Sequence, residues 1–441
     1  MSIYNHYSQH MAVWRNRFDA ALQQYSYDCL LIYSGSPIRL FLDDQTYPFR
    51  ANPQFRAVVP INQPYCWLLY QPEQKPILLY YQAQDFWHFN PPLAESKWVD
   101  SFDIIVIKRS GDALQYFPRA SHISILGDIP DSIHGQVKAD INPASFVAQL
   151  NWNRAYKTCY EQACLREATD TAVDGHIAAK AAFYNGSSEF EINRIYLQAC
   201  QQGESRMPYG NIVALNEHAS VLHYTELSSL APINKNKSLL IDAGADCQGY
   251  GADITRSYAF SEGLYGDLVR AMEELQLTLI ACITPGLDFV DLHMTAHRYI
   301  AQLLIDTGMI NTNAEHAIET GISAVFFPHG LGHLLGVQVH DVGGHQANIN
   351  GDPKPPPDAH PMLRNTRTIE AGQILTIEPG LYFIESLLAE LAELPEKALI
   401  NWSVIDSLRA YGGIRIEDNV LIHNDRVENL TREAFATIGA R

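Results

Sequence analysis

The sequence predicts an α+β protein of two domains, a smaller mixed α/β domain over residues 1–155 and a larger domain over residues 156–441. A chain of 441 residues is long enough to build two or three separate hydrophobic cores. In the first part, short strand-like apolar runs are separated by turn residues. After residue 158 apolar residues recur at helical spacing, and later strand-like runs carry carboxylates. This change of pattern places the domain boundary.

The N-terminal domain is expected to begin with a helix over residues 8–26, because its apolar side chains recur along one helical face. Strands are predicted after it at residues 30–33, 57–61, 66–70, 77–81, 104–107 and 123–126. Between the first two strands lies an aromatic and acidic stretch, residues 41–49, which includes Asp44. Taken by itself, this stretch indicates a surface loop.

The C-terminal domain should begin with a helix over residues 158–184. A second helix opens at Ser188, because Glu191 three residues later completes a capping box. A third covers residues 263–282, and Asp288 caps a fourth that runs through Leu304. Strands are expected at residues 211–215 and 238–241. The proline-rich residues 343–361 indicate a long loop over a site or a flexible insertion.

Composition excludes several classes of function. The net charge of −18 argues against nucleic acid and anionic membranes as partners. No run of about 18 apolar residues predicts a membrane span, and the first residues lack the pattern of a secretory signal. Seven dispersed cysteines fit reduced thiols better than a disulfide framework. We therefore expect a cytoplasmic protein.

Asp242 and Asp253 flank a glycine-rich stretch that suits a hairpin turn. If the turn centres on Cys247 and Gln248, the two aspartates lie directly opposite each other and about 5 Å apart. Two carboxylates this close cannot both stay ionised in a core unless a cation accompanies them. The alternative is an exposed hairpin with solvated aspartates, which the apolar run before Asp242 disfavours.

Two further carboxylates belong to strand-like runs near the C-terminus. Glu378 follows an apolar run and precedes Pro379, and Glu417 alternates with Arg415 in a second run. Alternation places Arg415 and Glu417 on one face, where an arginine can orient a ligand carboxylate. The alternative for this pair is an exposed salt bridge.

Histidines are concentrated between His329 and Asp341. His329 and His333 have the spacing of a zinc-binding helix, but the intervening glycines indicate a tight loop whose backbone approaches a ligand. A dinucleotide fingerprint is excluded because its third glycine is misplaced. His293 and His297 also stand four residues apart, and the apolar face around them indicates a structural pair. No nucleophile elbow occurs.

One imidazole with four carboxylates is a hard, oxygen-rich ligand set. It suits Mn²⁺ and, less selectively, Co²⁺ or Zn²⁺, whereas the lack of thiolates argues against a structural zinc site. Four negative charges balance two divalent ions, which together can activate water and polarise a carbonyl.

In their order along the chain, these residues resemble the pita-bread metallopeptidases, which include methionine aminopeptidase, aminopeptidase P and prolidase. The likeness is greatest to bacterial Xaa-Pro dipeptidases and to the related organophosphorus acid anhydrolases, and it covers nearly the whole chain. It implies a pita-bread catalytic domain that follows a creatinase-like N-terminal domain in the sequence. The matching stretches are residues 41–44, 47–49, 214–218, 329–341, 377–380 and 415–418.

The resemblance implies a role for each matching residue. Asp242 and Asp253 would bind one metal ion, His333 and Glu378 the other, and Asp253 and Glu417 would bridge them. The other implied residues are His223 and His340 at the oxyanion, Glu378 as proton acceptor, Arg415 supporting Glu417, Thr255 supporting Asp253, Arg364 (or Arg367) at the substrate carboxylate, His329 either behind the metal ligands or on the substrate side, Tyr209 lining the pocket, and Asp44 reaching the active site of a partner subunit.

The implied function is hydrolysis of dipeptides that end in proline, with a possible side activity on organophosphate triesters and fluoridates, by a homodimer. A related alternative is aminopeptidase P-type cleavage of longer Xaa-Pro peptides. An alternative of another class is a non-catalytic pita-bread module that binds proteins. Such modules lose metal ligands, whereas all five ligand positions are filled here.

Overall fold

The computed structural model describes residues 3–90, 93, 97–131, 133–232 and 236–438. It separates into two compact units. The first comprises Met1–Cys164 with the short segment Asn348–Asp352, and the second comprises Leu165–Ala347 with Pro353–Arg441. The division falls inside a helix, slightly later in the chain than the boundary expected from the sequence.

The first unit is a mixed sheet flanked by helices. Its elements are α1 Tyr7–Tyr25, β1 Cys29–Tyr33, α2 Pro53–Arg56, β2 Trp67–Tyr70, β3 Ile77–Tyr81, β4 Asp103–Ile107, β5 Ile123–Leu126, β6 Asp140–Ile141 and α3 Ala144–Arg154. The described strands form one sheet in the order β4-β3-β2-β1-β5-β6. Strand β1 pairs antiparallel with β2 and parallel with β5. All five residues of β1 are buried, which explains its uninterrupted apolar sequence.

The strand predicted at residues 57–61 is wrong. This stretch follows the short helix α2, whose first turn is capped by the Asn52 side chain accepting a hydrogen bond from the Gln54 amide at 2.9 Å. Val58 and Val59 are buried without pairing in a sheet. A short apolar run signals burial, and burial alone does not distinguish a strand from a packed turn.

The second unit carries the site. Its helices are α4 Cys159–Tyr184 (which begins in the first unit), α5 Glu189–Cys200, α6 Leu264–Ala281, α7 Phe289–Asp306, α8 Ala314–Glu319, α9 Ile322–Phe326, α10 Glu385–Glu393, α11 Trp402–Leu408 and α12 Leu430–Ile438. Its strands are β7 Ile212–Leu215, β8 Ser238–Asp242, β9 Asp246–Cys247, β10 Tyr250–Gly251, β11 Thr255–Ala259, β12 Ile374–Ile377, β13 Gly380–Tyr382, β14 Gly413–Arg415, β15 Asp418–Ile422 and β16 Val427–Asn429. The larger described sheets have the orders β11-β8-β7 and β12-β15-β16.

Local signals in this unit were reliable. The capping box of Ser188 and Glu191 is formed as predicted, and the Asp288 side chain caps α7 by accepting a hydrogen bond from the Val290 amide at 2.9 Å. Both satisfy amide groups that the first turn of a helix leaves unpaired. These two helix starts are therefore confirmed.

The register predicted for the aspartate hairpin is wrong by two residues. Asp242 pairs with Thr255 across β8 and β11, and Asp253 lies two residues further along. The hairpin turns at Gln248 and Gly249, both with positive φ, rather than at Cys247 and Gln248. Asp242 and Asp253 are consequently diagonal neighbours. A shift of two keeps side chains on the same face, so the carboxylates still converge.

Among the described residues, no helix has the length and apolar character that crossing a membrane requires. All seven cysteines are free, as the sequence predicted.

Candidate metal centre

The four carboxylates predicted as ligands stand at strand ends. Asp242 is the last residue of β8 and Asp253 precedes β11, whereas Glu378 follows β12 and Glu417 precedes β15. Thr255 and Glu417 face each other in an isolated antiparallel bridge. Strand ends that meet in this way bring side chains from distant parts of the chain to one place.

His333 reaches the same place from a tight loop. The backbone here follows no regular helix, as the glycines predicted. A Cβ atom at Gly332 would lie 1.9 Å from the carbonyl oxygen of Thr376, so only glycine permits this approach to β12. The Thr376 amide in turn donates to the His333 carbonyl at 3.0 Å, which fastens the loop to the strand that leads to Glu378.

The five residues form one cluster, called here the acidic centre: Asp242, Asp253, His333, Glu378 and Glu417. Two groups of three overlap within it. Ligand atoms of Asp242, Asp253 and Glu417 all lie within 4.8 Å of one another, and so do those of His333, Glu378 and Glu417. Glu417 belongs to both groups, so the geometry offers two adjoining cation positions.

The imidazole of His333 is oriented for this purpose. Its Nδ1 lies 3.0 Å from the Leu334 carbonyl oxygen, an acceptor, so Nδ1 carries the proton. Its Nε2 therefore faces the carboxylates, 3.4 Å from Asp253 Oδ2 and 3.6 Å from Glu378 Oε1. A backbone carbonyl that selects one tautomer is typical of metal-binding histidines.

Burial and crowding of like charges dominate the electrostatics of the acidic centre. Burial, reinforced by Asp253 and Glu378, raises the pKa of Glu417 well above its usual value. Burial also raises the pKa of Glu378 to about 7, although His333 opposes the shift. Burial would raise the pKa of Asp253 as well, but the hydrogen bond and charge of His333 outweigh it and lower that pKa. The centre thus holds more carboxylates than its own cations can neutralise.

The supporting hydrogen bonds differ from those expected. Arg415 was expected to support Glu417, yet its Nη2 donates to Asp242 Oδ2 at 2.7 Å. Thr255 was expected to support Asp253, yet its hydroxyl donates to Glu417 Oε2 at 2.7 Å and accepts from Arg415 Nε at 3.1 Å. The register explains the exchange, because Thr255 lies opposite both Asp242 and Glu417.

Tyr209 was predicted to line the substrate pocket, but it is not among the residues that line the cavity over the acidic centre. Its hydroxyl oxygen lies 2.7 Å from Asp242 Oδ1 and 2.5 Å from Asp253 Oδ1. A phenol has one hydrogen, so it donates to one carboxylate at a time. Tyr209 therefore positions the two aspartates.

A cavity of about 550 Å³ opens over the acidic centre. His223, His340 and Arg364 line it, as predicted for residues that contact substrate, whereas Arg367 is buried with 1% exposure. The structure thus favours Arg364 over Arg367 at the cavity wall. A larger cavity of about 870 Å³ is lined by Arg256, Glu273 and Arg432 and contains none of the acidic centre.

His329 also lines the cavity, but both ring nitrogens are engaged. Its Nδ1 donates to the Gly330 carbonyl oxygen and its Nε2 accepts from the Tyr382 hydroxyl, each at 2.8 Å. Arg415 Nη1 donates to the same hydroxyl at 2.9 Å. Sequence reasoning missed Tyr382, which is buried in β13 and links His329 to Arg415. Its place two residues after Pro379-Gly380 is an ordinary strand position and carries no local signal.

Asp44 lies in an exposed turn, as the loop pattern indicated. Phe41 and Leu42 beside it are 90% and 91% exposed. The expectation that Asp44 reaches a partner subunit stays a prediction.

Comparison with known proteins agrees with this geometry. Residues 5–152 match the N-terminal domain of Xaa-Pro dipeptidases, and residues 163–424 match metallopeptidase family M24. A protein of Shewanella woodyi named Xaa-Pro dipeptidase is 45% identical over 431 residues, which cover 97% of this chain and 98% of the relative. One of the same name from Pseudoalteromonas atlantica is 44% identical over 433 residues, covering 97% and 98%.

Among solved structures, the low-pH form of Escherichia coli aminopeptidase P superposes with a TM-score of 0.72 at 22% identity, covering 99% of this chain and 98% of that one. This likeness concerns the fold. It confirms the predicted pita-bread architecture, with a smaller mixed domain that precedes it in the sequence. The chain belongs to metallopeptidase family M24, a family of metal-dependent peptidases, in the branch that carries a Xaa-Pro dipeptidase N-terminal domain.

Proposed function

We propose that this protein hydrolyses dipeptides of the form Xaa-Pro and that the acidic centre holds two divalent metal ions. The two overlapping ligand groups that share Glu417 carry the proposal. The names of the relatives at 44–47% identity support the same substrate class.

The residues present fit such ions. Four carboxylates, two buried and two partly buried, form an oxygen-rich set with one oriented imidazole, and Arg415 donates a hydrogen bond to this set through Asp242. Divalent ions would supply the missing positive charge, with Mn²⁺ suited best and the borderline ions Co²⁺ and Zn²⁺ also accepted. When bound, such ions polarise a carbonyl and lower the pKa of water.

The chain's own groups divide the remaining work. Glu378 faces the cavity and would accept a proton from the attacking water and deliver it to the departing nitrogen. Proline leaves as a secondary amine, so that delivery completes the cleavage. His223 and His340 line the same cavity and would donate hydrogen bonds to the developing oxyanion.

Arg364 is proposed to determine the length of the substrate. Arg364 lines the cavity, where its guanidinium would pair with the free carboxylate of the proline residue. A longer peptide has an amide at that position and would leave the arginine unpaired. This separates the proposal from the aminopeptidase P-type alternative, which requires an open end.

Hydrolysis of Leu-Pro and Leu-Pro-Gly by the Mn²⁺-loaded protein tests both parts. We expect cleavage of the dipeptide alone, abolished by chelation and restored by Mn²⁺. Arg364→Ala should lower kcat/KM on Leu-Pro by about 100-fold, because a charge-assisted pair is lost. The exposed Arg426→Ala is the matched control. Preferred cleavage of the tripeptide would favour the aminopeptidase alternative, and inactivity with metal bound would favour the protein-binding module.

We also propose a weaker side activity on organophosphate triesters and fluoridates. The apolar side chains of Leu222, Ile384 and Leu387 line the cavity and would accept alkoxy groups. Such substrates carry no carboxylate, so Arg364→Ala should slow Leu-Pro cleavage and leave hydrolysis of a dialkyl fluorophosphate unchanged.

A cytoplasmic homodimer is proposed as the working form. The exposed Phe41 and Leu42 beside Asp44 support a contact with a second copy, since large apolar side chains are seldom exposed together without a partner. Sedimentation of the purified protein should give the mass of two chains, and replacing both apolar residues by serine should shift it toward one.

A further inference from the structure

A second group of metal-ligating side chains lies apart from the acidic centre. His293 and His297 are one turn apart on α7, and His360 meets them from the proline-rich segment. The ring centroids form a near-equilateral triangle with sides of 4.7, 4.6 and 4.4 Å. One nitrogen from each ring lies within 4.8 Å of the other two. We call these three residues the trihistidine cluster.

The rings on α7 are buried, and several of their nitrogens are unused. His293 is 1% exposed and His297 is fully buried. Within the described residues, three of these ring nitrogens have no hydrogen-bond partner, namely both nitrogens of His293 and Nε2 of His297. His297 Nδ1 lies 3.0 Å from the Ser323 hydroxyl, which holds that ring in place and leaves Nε2 available.

Such an arrangement is costly unless something binds it. A buried polar atom without a partner loses its hydration and gains nothing in return. Protonation does not relieve the cost, because burial and the neighbouring imidazoles lower the pKa of His293 to about 2 and that of His297 to about 3. Neutral imidazoles with available lone pairs are the common ligands of transition metals.

The donor set also selects the ion. Three imidazoles without a carboxylate or thiolate suit Zn²⁺, Co²⁺, Ni²⁺ or Cu²⁺ and not the hard ions preferred by oxygen ligands. An adjoining cavity of about 230 Å³, lined by His360 and His329, supplies an entry path and room for a fourth ligand.

We propose that His293, His297 and His360 form a mononuclear site for a borderline divalent ion such as Zn²⁺, separate from the acidic centre. The ion fastens the segment of residues 353–364 to α7. This segment ends at Arg364, which lies in the wall of the cavity over the acidic centre. On the other side, the ring centroid of His297 lies 5.0 Å from that of Phe327, and Phe327 leads into the loop of His329. The role of the site is to hold that wall in place.

The test is a count of bound metal on the full chain. Metal-free wild type, His360→Ala, His297→Gln and the control His316→Ala are loaded with excess Co²⁺, dialysed and analysed for cobalt per chain. His316 is an exposed histidine on the neighbouring α8. We expect wild type and His316→Ala to bind one more ion than the other two variants, whatever number the acidic centre holds.

The visible spectrum gives a second readout. A nitrogen-rich four-coordinate Co²⁺ site absorbs more strongly than a six-coordinate oxygen-rich one, so the two cluster variants should lose an intense band that wild type and control keep. Circular dichroism of the metal-free proteins checks folding, and His360→Gln replaces His360→Ala if the latter unfolds. Equal cobalt content and equal spectra in folded His360 and His297 variants would overturn the proposal.

Discussion

Glu417 and Asp418 are adjacent in the sequence and equally buried, yet their surroundings are opposite. Glu417 joins the acidic centre, where burial and neighbouring carboxylates raise its pKa. Asp418 accepts hydrogen bonds from Arg256 Nη2 at 2.6 Å and Arg432 Nε at 2.8 Å. Burial alone would raise the pKa of Asp418, but the two guanidinium groups outweigh it and hold that pKa well below its usual value.

The difference shows which buried charges the chain neutralises by itself. Successive side chains of an extended strand point to opposite faces, so one residue reaches the arginines and its neighbour reaches the acidic centre. At Asp418 the counter-charge is covalently part of the protein. At the acidic centre it has to be supplied by bound cations. Removing a carboxylate should therefore have opposite consequences at the two places.

The largest effect is expected from Glu417→Gln, because Glu417 belongs to both ligand groups and its pKa is raised by burial and by the neighbouring carboxylates. The substitution removes a carboxylate from the acidic centre and should lower kcat/KM on Leu-Pro by about 10⁴-fold, about 5 kcal/mol, with less bound metal. The metal-free variant should be at least as stable as wild type, because a repelling charge is gone. Kinetics, metal analysis and urea unfolding measure the three quantities, with the exposed Asp425→Asn as control. A metal-free variant that unfolds more easily would break the comparison.

Asp418→Asn should act on stability instead. It leaves the buried guanidinium of Arg256 without its carboxylate partner, whereas the partly exposed Arg432 keeps its ion pair with Glu273, so the free energy of unfolding should fall by about 3–5 kcal/mol. The exposed Asp406, which pairs with Arg409, provides the control, since Asp406→Asn should cost less than about 1 kcal/mol. Urea unfolding at neutral pH measures both. Equal losses would mean that the arginines do not distinguish Asp418 from a surface carboxylate.

The pH dependence of stability sharpens the same contrast. The folded, metal-free protein binds a proton at Glu378 up to a pKa of about 7, whereas the unfolded chain releases it near the ordinary value of 4.5. The protonated Glu378 therefore contributes to the free energy of unfolding at pH 4.5, and this contribution is lost as the pH rises through 7. The loss amounts to at most about 3 kcal/mol. The contribution of Asp418 to the free energy of unfolding has the opposite pH dependence. Because its pKa is lowered, this contribution is lost as the pH falls below 3.8.

Unfolding of the metal-free protein at pH 5, 6, 7 and 8 checks that sign. Glu378→Gln should make the decline between pH 5 and 8 shallower, and Glu417, whose pKa is also raised, accounts for part of the remainder. Saturation with Mn²⁺ should remove the decline, because bound cations displace the protons. A decline as steep in Glu378→Gln as in wild type would assign it entirely to other groups.

The smallest effect is expected from Thr255→Val. The hydroxyl joins Arg415 to Glu417, and its loss should weaken Mn²⁺ binding by about 10–100-fold while the fold is kept. Thr278→Val, at an exposed α6 position whose hydroxyl bonds only its own helix, is the control. Calorimetric titration with Mn²⁺ measures the affinity. An unchanged affinity would show that Glu417 is held by its backbone alone.

Signals that act within a few residues could be interpreted without a structure. The capping box at Ser188, the cap at Asp288 and the glycines around His333 each depend on sterics or hydrogen bonds inside one turn, and each was predicted correctly. The run at residues 57–61 was not, because burial in a packed turn selects the same apolar residues as a strand.

Contacts between residues that are distant in the sequence were harder to predict. The hairpin register was misjudged by two residues, since equal numbers of turn residues allow more than one centre. Arg415 was matched to Glu417 because they are two apart, whereas the carboxylate to which it donates a hydrogen bond is that of Asp242, 173 residues away. Tyr382 and His360 carried no signal, because nothing in their neighbourhoods records which distant side chains they meet.

By itself, the sequence determined the kinds of elements, the five chemically distinctive residues and, through their order, the family. Tertiary structure decided which carboxylate meets an arginine and which meets other carboxylates, and it brought three histidines together on α7 and its neighbouring segment. The physical reason is range: periodicity and capping are set within a turn or a strand. The neutralisation of a buried charge depends instead on groups that only the complete fold brings within a few ångströms.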